Sequence, residues 1–99
     1  MKTTIYKYPL DLGKINEIKE STDSQILSAG LDGDGKLCVW LMVKIYDIND
    51  IEHICDYRTY FIEIFGTGHT IPVDMGVDRR FINTVVIGPC VWHIFERRT

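Results

Sequence analysis

Long apolar stretches are missing from this chain. The longest, Leu37 to Val43, is seven residues closed off by Lys36 and Lys44, whereas a membrane-spanning helix needs about 20. The opening MKTTIYKYPLDL also lacks the uninterrupted apolar core of a secretory leader. The expectation is a soluble, cytoplasmic protein with no membrane partner. Cysteine is scarce too: Cys38, Cys55 and Cys90 form an odd set at long spacings, unlike the even, dense framework of a disulfide-stapled secreted domain. They read as reduced thiols, with Cys38 and Cys90 as small core residues inside strand-like runs. Positive charge is in short supply. The 11 Lys+Arg face 14 Asp+Glu, for a net charge of −3, which excludes a surface built on many phosphate contacts to long nucleic acid.

What is present suits one packed domain. The 99 residues match the size of a single unit, and 45% apolar content is too high for disorder. Short β-branched and aromatic runs recur along the chain: Thr3 to Tyr8, Gln25 to Leu31, Lys36 to Lys44, Tyr57 to Phe65, Phe81 to Ile87 and Val91 to Phe95. The first should stop at Pro9, which has no N–H for a ladder. Asp32-Gly33-Asp34-Gly35, between two apolar runs, is a hairpin signal because glycine accepts the positive φ of tight turns. In the run that follows, Leu37, Val39, Leu41 and Val43 alternate with Cys38, Trp40 and Met42. With both faces apolar, this strand should be central and covered on both sides. Leu12, Ile15 and Ile18 are spaced for a helical turn or an irregular strand, and the acidic connection 47–56 for a short helix or a loop. The expected fold is all-β, or mainly β with one short helix: an antiparallel sandwich or barrel of six to seven short strands.

Candidate chemistry concentrates in the second half. Gly66-Thr67-Gly68-His69 ends a strand and opens a long loop running to about Arg79; such loops tend to be functional. Glycines there allow several amides to converge on one anion, with Thr67 and His69 adding side-chain donors. The segment is no phosphate-loop or dinucleotide fingerprint, and a plain turn is the alternative. His93 shares a strand face with Val91 and Phe95; it reads as a hydrogen-bonded core or rim residue, or as a partner of His69 at a ligand. Cys90-x-x-His93 places its two side chains on opposite faces of a strand, and Cys38, His53, Cys55 and His69 complete no ligand spacing. No metal or cofactor is expected. Catalytic motifs are absent, although Asp74 and Asp78 share a loop with His69.

Charge is also unevenly distributed. All six lysines lie in residues 1–57 with ten acids, giving −4, and all five arginines lie in 58–99 with four acids, giving +1. Arginine grips carboxylate and phosphate through a planar, two-pronged donor set. With Arg79 and Arg80 closing the loop that Gly66 opens, the pattern favours a pocket for a small anion; a solvated charged rim is the alternative.

Three segments carry a resemblance: Ile5-Tyr6-Lys7-Tyr8-Pro9-Leu10, Phe65-Gly66-Thr67-Gly68-His69-x-Ile71-Pro72, and Val91-Trp92-His93-Ile94-Phe95-Glu96. Together they resemble a family of small phage- and prophage-encoded proteins grouped as an uncharacterised domain. The acidic insert 45–56 departs from that pattern. The resemblance implies a phage accessory protein in the bacterial cytoplasm, of the kind that counters host defence by sequestering a nucleotide signal or capping a host protein. The combined expectation is a homo-oligomer that binds, without transforming, a small anionic ligand such as a cyclic nucleotide immune signal. Its ligand-binding residues would be Gly66, Thr67, Gly68, His69, Arg79, Arg80 and His93. The alternatives are a module that inhibits a host protein through a sheet edge or segment 45–56, and a signal-degrading enzyme with His69 as base.

Overall fold

Alternation along each strand decides which side chains the chain hides. A computed structural model describes residues 2–46 and 56–98; the helix-or-loop alternative for 47–56 falls almost wholly outside them. The strands are β1 (Lys2–Pro9), β2 (Asn16–Ser21), β3 (Gln25–Leu31), β4 (Leu37–Ile45), β5 (Tyr57–Gly66), β6 (Asp78–Ile87) and β7 (Cys90–Arg98), all paired antiparallel. They form a three-stranded sheet in the order β1-β4-β3 and a four-stranded sheet in the order β2-β5-β7-β6. The fold is all-β with sandwich-like packing. Its thinnest dimension is 17 Å, as expected of two sheets about 10 Å apart with outward side chains.

The core is one face of each sheet. From β4 come Leu37, Val39, Leu41 and Val43; from the other sheet come Ile18, Tyr60, Ile62, Val85 and Ile94. Tyr60 is 1% exposed, and its hydroxyl donates to the carbonyls of Ser21 at 2.7 Å and Ser24 at 3.3 Å. This satisfies the one polar atom that so deep a tyrosine carries inside. β4 is central as expected, but only one of its faces meets the other sheet. On its second face Cys38 is buried while Trp40 and Met42 are half-buried.

Each connection has a local cause. In the β3–β4 hairpin, Asp32 Oδ1 accepts the amides of Asp34 and Lys36, and Gly35 takes a φ of +75°. Those amides, then Lys7, hold the Asp32 carboxyl below the usual carboxylate range. The β6–β7 hairpin turns on Gly88, at φ +56°, and Pro89. Between β1 and β2 the buried Asn16 side chain accepts the Asp11 amide and donates to the carbonyls of Asp11 and Lys14. This staple explains why the helical spacing of Leu12, Ile15 and Ile18 yields a turn followed by a strand.

Several boundaries differ from expectation. Pro9 is the last residue of β1, opposite Cys38; on an edge strand its missing N–H costs no ladder bond. β6 begins at Asp78 and β7 runs to Arg98, so the arginines flanking the expected strands lie within them. Cys90 is exposed beside the Gly88-Pro89 turn and is not a core residue; the one-sided end of a hairpin has nothing to pack over it.

The sheets are tied together at their β3 and β6 edges by one side chain. A bulge in β6 between Phe81 and Asn83 turns the Asn83 carboxamide toward β3. There Asn83 Oδ1 accepts the Ala29 amide at 2.8 Å, and Nδ2 donates to the Ala29 carbonyl at 2.6 Å. The carboxamide thus supplies to β3 the donor and acceptor that a neighbouring strand would.

Candidate functional site

The residues expected to share a pocket are divided among separate places. Gly66 to His69 form a β-turn: the His69 amide donates to Gly66 O at 3.0 Å, and Gly68 takes a φ of +87°. The His69 ring folds back so that Nδ1 accepts the Gly66 amide at 3.2 Å, and a Cβ added at Gly66 would lie 2.8 Å from its Cε1. Residue 66 therefore has to be glycine for the ring to lie where it does. The ring also meets Trp92 edge-on, with centroids 5.9 Å apart. The Thr67 amide donates to Val91 O. Three of the four turn amides are thus committed within the protein, which leaves little of the converging-amide anion nest that the glycines suggested.

His93 lies on the outer face of β7. Its Nε2 is 2.7 Å from Thr67 Oγ1 and its Nδ1 3.0 Å from Thr84 Oγ1. Both ring nitrogens are therefore used, and His93 and His69 engage different partners. A hollow of about 310 Å³ beside the turn is lined by Thr67, His69, Cys90 and Trp92 among others. Among the described residues, no three or more His, Cys, Asp or Glu side chains gather to hold a metal ion.

The adjacent arginines point opposite ways, as neighbours on a strand must. Arg79 lies on the outer face of its sheet, with its side chain 12% exposed. Its Nε is 3.0 Å from Oε1 of the buried Glu63, and it also reaches the Pro72 carbonyl at 2.7 Å and Asp74 at 3.5 Å. It anchors the 67–77 loop and satisfies a buried carboxylate. Arg80 faces inward and is exposed, and it makes no hydrogen bond or ion pair among the described residues.

Arg80 opens onto a cleft of about 220 Å³ between the sheets, lined by Ser24–Leu27 of the first sheet's edge and by Arg58, Tyr60, Arg80–Ile82, Glu96 and Arg98 of the other. The inward-facing rows are apolar at the middle of the sandwich (Ile62, Ile94) and become charged toward this end. Ile62, Glu96 and Arg80 lie side by side across β5, β7 and β6. The Glu96 side chain is 4% exposed; Arg98 Nη2 donates to it at 3.1 Å and Arg58 Nη2 at 3.4 Å. The Arg58 guanidinium stacks 3.9 Å above the Tyr60 ring, a cation–π contact that fixes its plane. Hydrogen bonding to Glu96, and then its charge, raises the Arg98 pKa above the ordinary arginine value. Arg98 Nε is buried and has no hydrogen-bond partner among the described residues.

Three guanidinium groups thus line the cleft around Glu96, with Asp78 opposite Arg98 and Glu20 opposite Arg58 in the strand registers, and among the described residues donors remain free on Arg80 and Arg98. Two-pronged donors in a partly desolvated cleft are suited to a carboxylate or phosphate. Only Arg80 of this cluster was among the expected ligand residues. The signal for Arg58, Glu96 and Arg98 is parity with Ile62 and Ile94, visible once β7 is extended past Phe95.

No curated protein and no solved structure matches the chain. A family model, the domain of unknown function DUF7352, matches residues 1–99. With the match spanning the whole chain, the protein belongs to the DUF7352 family.

Proposed function

We propose that the protein binds a small anionic ligand, without transforming it, in the arginine cleft between its two sheets. The observation that carries this reading is that Arg80, beside Arg58 and Arg98, makes no side-chain hydrogen bond or ion pair among the described residues, while Glu96 is hydrogen-bonded to the other two arginines. Like charges gathered at one end of a sandwich repel each other, and a bound anion relieves that cost. Charged donors left without acceptors add to it. The role implied by the resemblance, sequestration of a nucleotide-derived signal by a phage accessory protein, needs nothing beyond such a cleft and an affinity suited to the signal's concentration.

A thermal-shift panel of orthophosphate, pyrophosphate and nucleoside phosphates tests this reading. A ligand at a hundred times its Kd raises the melting temperature of a domain this size by roughly 10 °C or more. Arg80→Ala should abolish the shift and leave the ligand-free melting temperature within about 2 °C of the parent, since exposed, unpartnered side chains contribute little to stability. No shift with any anion, or an equal shift in the variant, contradicts the proposal.

A further inference from the structure

We infer that the protein pairs with a second copy of itself through the free edge of β1, in one antiparallel register centred on Ile5. The sheets end on β1, β3, β2 and β6, and β1 is the least guarded of these. β3 and β6 each carry a bulge and are tied to each other through Asn83. β2 has six residues, three of them buried, and sets Glu17, Lys19 and Glu20 along its length. β1 has eight residues in unbroken register with β4; six are exposed and none is buried. Natural edges are protected by bulges, shortness or charge, and β1 lacks the first two. Of its lysines, Lys2 stands at the strand's end, and Lys7 is drawn aside: Nζ lies 3.0 Å from Oδ2 of Asp32, in the hairpin beyond β4.

Strand parity fixes which backbone groups β1 offers. Leu10 N donates to Leu37 O, continuing the β1–β4 register, so the even-numbered residues of β1 exchange hydrogen bonds with β4. Thr3, Ile5 and Lys7 therefore turn their N–H and C=O groups outward. Pro9 shares their parity, and its missing donor falls on the open edge. A two-fold axis at Ile5 sets Ile5 against Ile5 of the second copy, and Thr3 against its Lys7. Every outward N–H and C=O of Thr3, Ile5 and Lys7 is then bonded on both chains. Moving the axis to Tyr6 sets Thr3 against Pro9, and the Thr3 carbonyl finds no donor. Moving it to Lys7 sets lysine against lysine, a destabilising pair.

The side chains agree with this register. Ile5, 57% exposed, stands on the outer face beside Met42. It meets its own counterpart there, which buries apolar surface at the axis. On the other face Tyr6, 44% exposed, meets Thr4 of the second copy. Lys2 meets Tyr8, whose hydroxyl is hydrogen-bonded to Glu20. No like charges stand opposite each other. The product is one continuous sheet in the order β3-β4-β1-β1-β4-β3. The arginine cleft takes its first-sheet lining from β3, at the opposite edge. Both copies keep that cleft open, so the pairing does not depend on the anion-binding reading.

Sedimentation equilibrium of the full-length protein from about 1 μM to 1 mM spans the affinities of small interfaces. The expected result is a mass that rises to twice the 11.5 kDa of one chain. In a mixed isotope-labelled sample, NMR should show Thr4 Hα in contact with Tyr6 Hα of the other copy, a close non-hydrogen-bonded pair in this register. Ile5→Pro removes an N–H that β4 does not use, so it should keep the fold and lose the dimer. Ile5→Lys, which alters no backbone group, should weaken pairing on the order of tenfold. A protein that stays a single chain throughout overturns the inference and leaves the edge to a foreign strand. A dimer that both variants retain unchanged also overturns it, as do cross-chain contacts in another register or another strand.

Discussion

Arg79→Ala is expected to lower the unfolding free energy by about 3–5 kcal/mol, the usual cost of removing one partner from a buried ion pair, while anion binding persists. Glu63 is buried, and its nearest cation is Arg79 at 3.0 Å; Arg97 Nε stands off at 4.0 Å. Without Arg79 the carboxylate keeps its desolvation and loses its main compensation. The loop carbonyl of Pro72 loses its donor as well. Urea denaturation measures the loss. The control is Glu63→Gln in the Arg79→Ala background, which removes the stranded charge and should recover a substantial part of the stability. A variant as stable as the parent would contradict the buried ion-pair account, and one that loses ligand affinity would place Arg79 in the binding site. Arg79 and Arg80 thus have opposite expected phenotypes, stability for one and affinity for the other, although they are neighbours in sequence.

Asn83→Ala is the second large effect, expected at about 2–4 kcal/mol because two buried backbone groups lose their partners together. Ala29 is 5% exposed, and the Asn83 carboxamide satisfies both its N–H and its C=O. Among the described residues no other side chain bridges β3 and β6 through both a backbone N–H and its C=O, so the loss should be felt across the whole β3–β6 seam. Asn83→Asp should do no better than alanine: the carboxylate still accepts the Ala29 N–H but turns its second oxygen on the Ala29 carbonyl. Thermal denaturation should register a fall of roughly 10–20 °C, and hydrogen exchange at the Ala29 amide should accelerate beyond the global change. An unchanged melting temperature would mean that packing between the sheets, not the carboxamide, holds the seam.

The strand layout was legible because alternation and turn chemistry are local. Leu37 to Val43 announces a central strand, and Asp32 to Gly35 a hairpin. The segment 12–18 was not legible in the same way, since its outcome depends on Asn16 reaching back to Asp11 and Lys14. The bulge at Asn83 was equally hidden, because it exists to meet a residue 54 positions away.

The candidate site was half legible. The concentration of arginine in residues 58–99 pointed to an anion, and Arg80 does stand in the cleft. Adjacent placement made Arg79 and Arg80 look like one feature, yet strand parity sends them to opposite faces. The glycines of Gly66 to His69 suggested open amides. In the folded chain they make room for an imidazole that takes one of those amides itself. Glu96 and Arg98 were missed for a simpler reason: ending β7 at Phe95 left them in a tail, when two more steps of alternation put them on the face of Ile94.

The most direct test follows the side-chain Nε–Hε resonances of all five arginines during a titration with inorganic phosphate. Changes at Arg58, Arg80 and Arg98, with Arg79 and Arg97 unmoved, are the expected result. Changes centred on Arg79 or on the backbone amides of Gly66 to His69, with the cleft arginines unmoved, would contradict it.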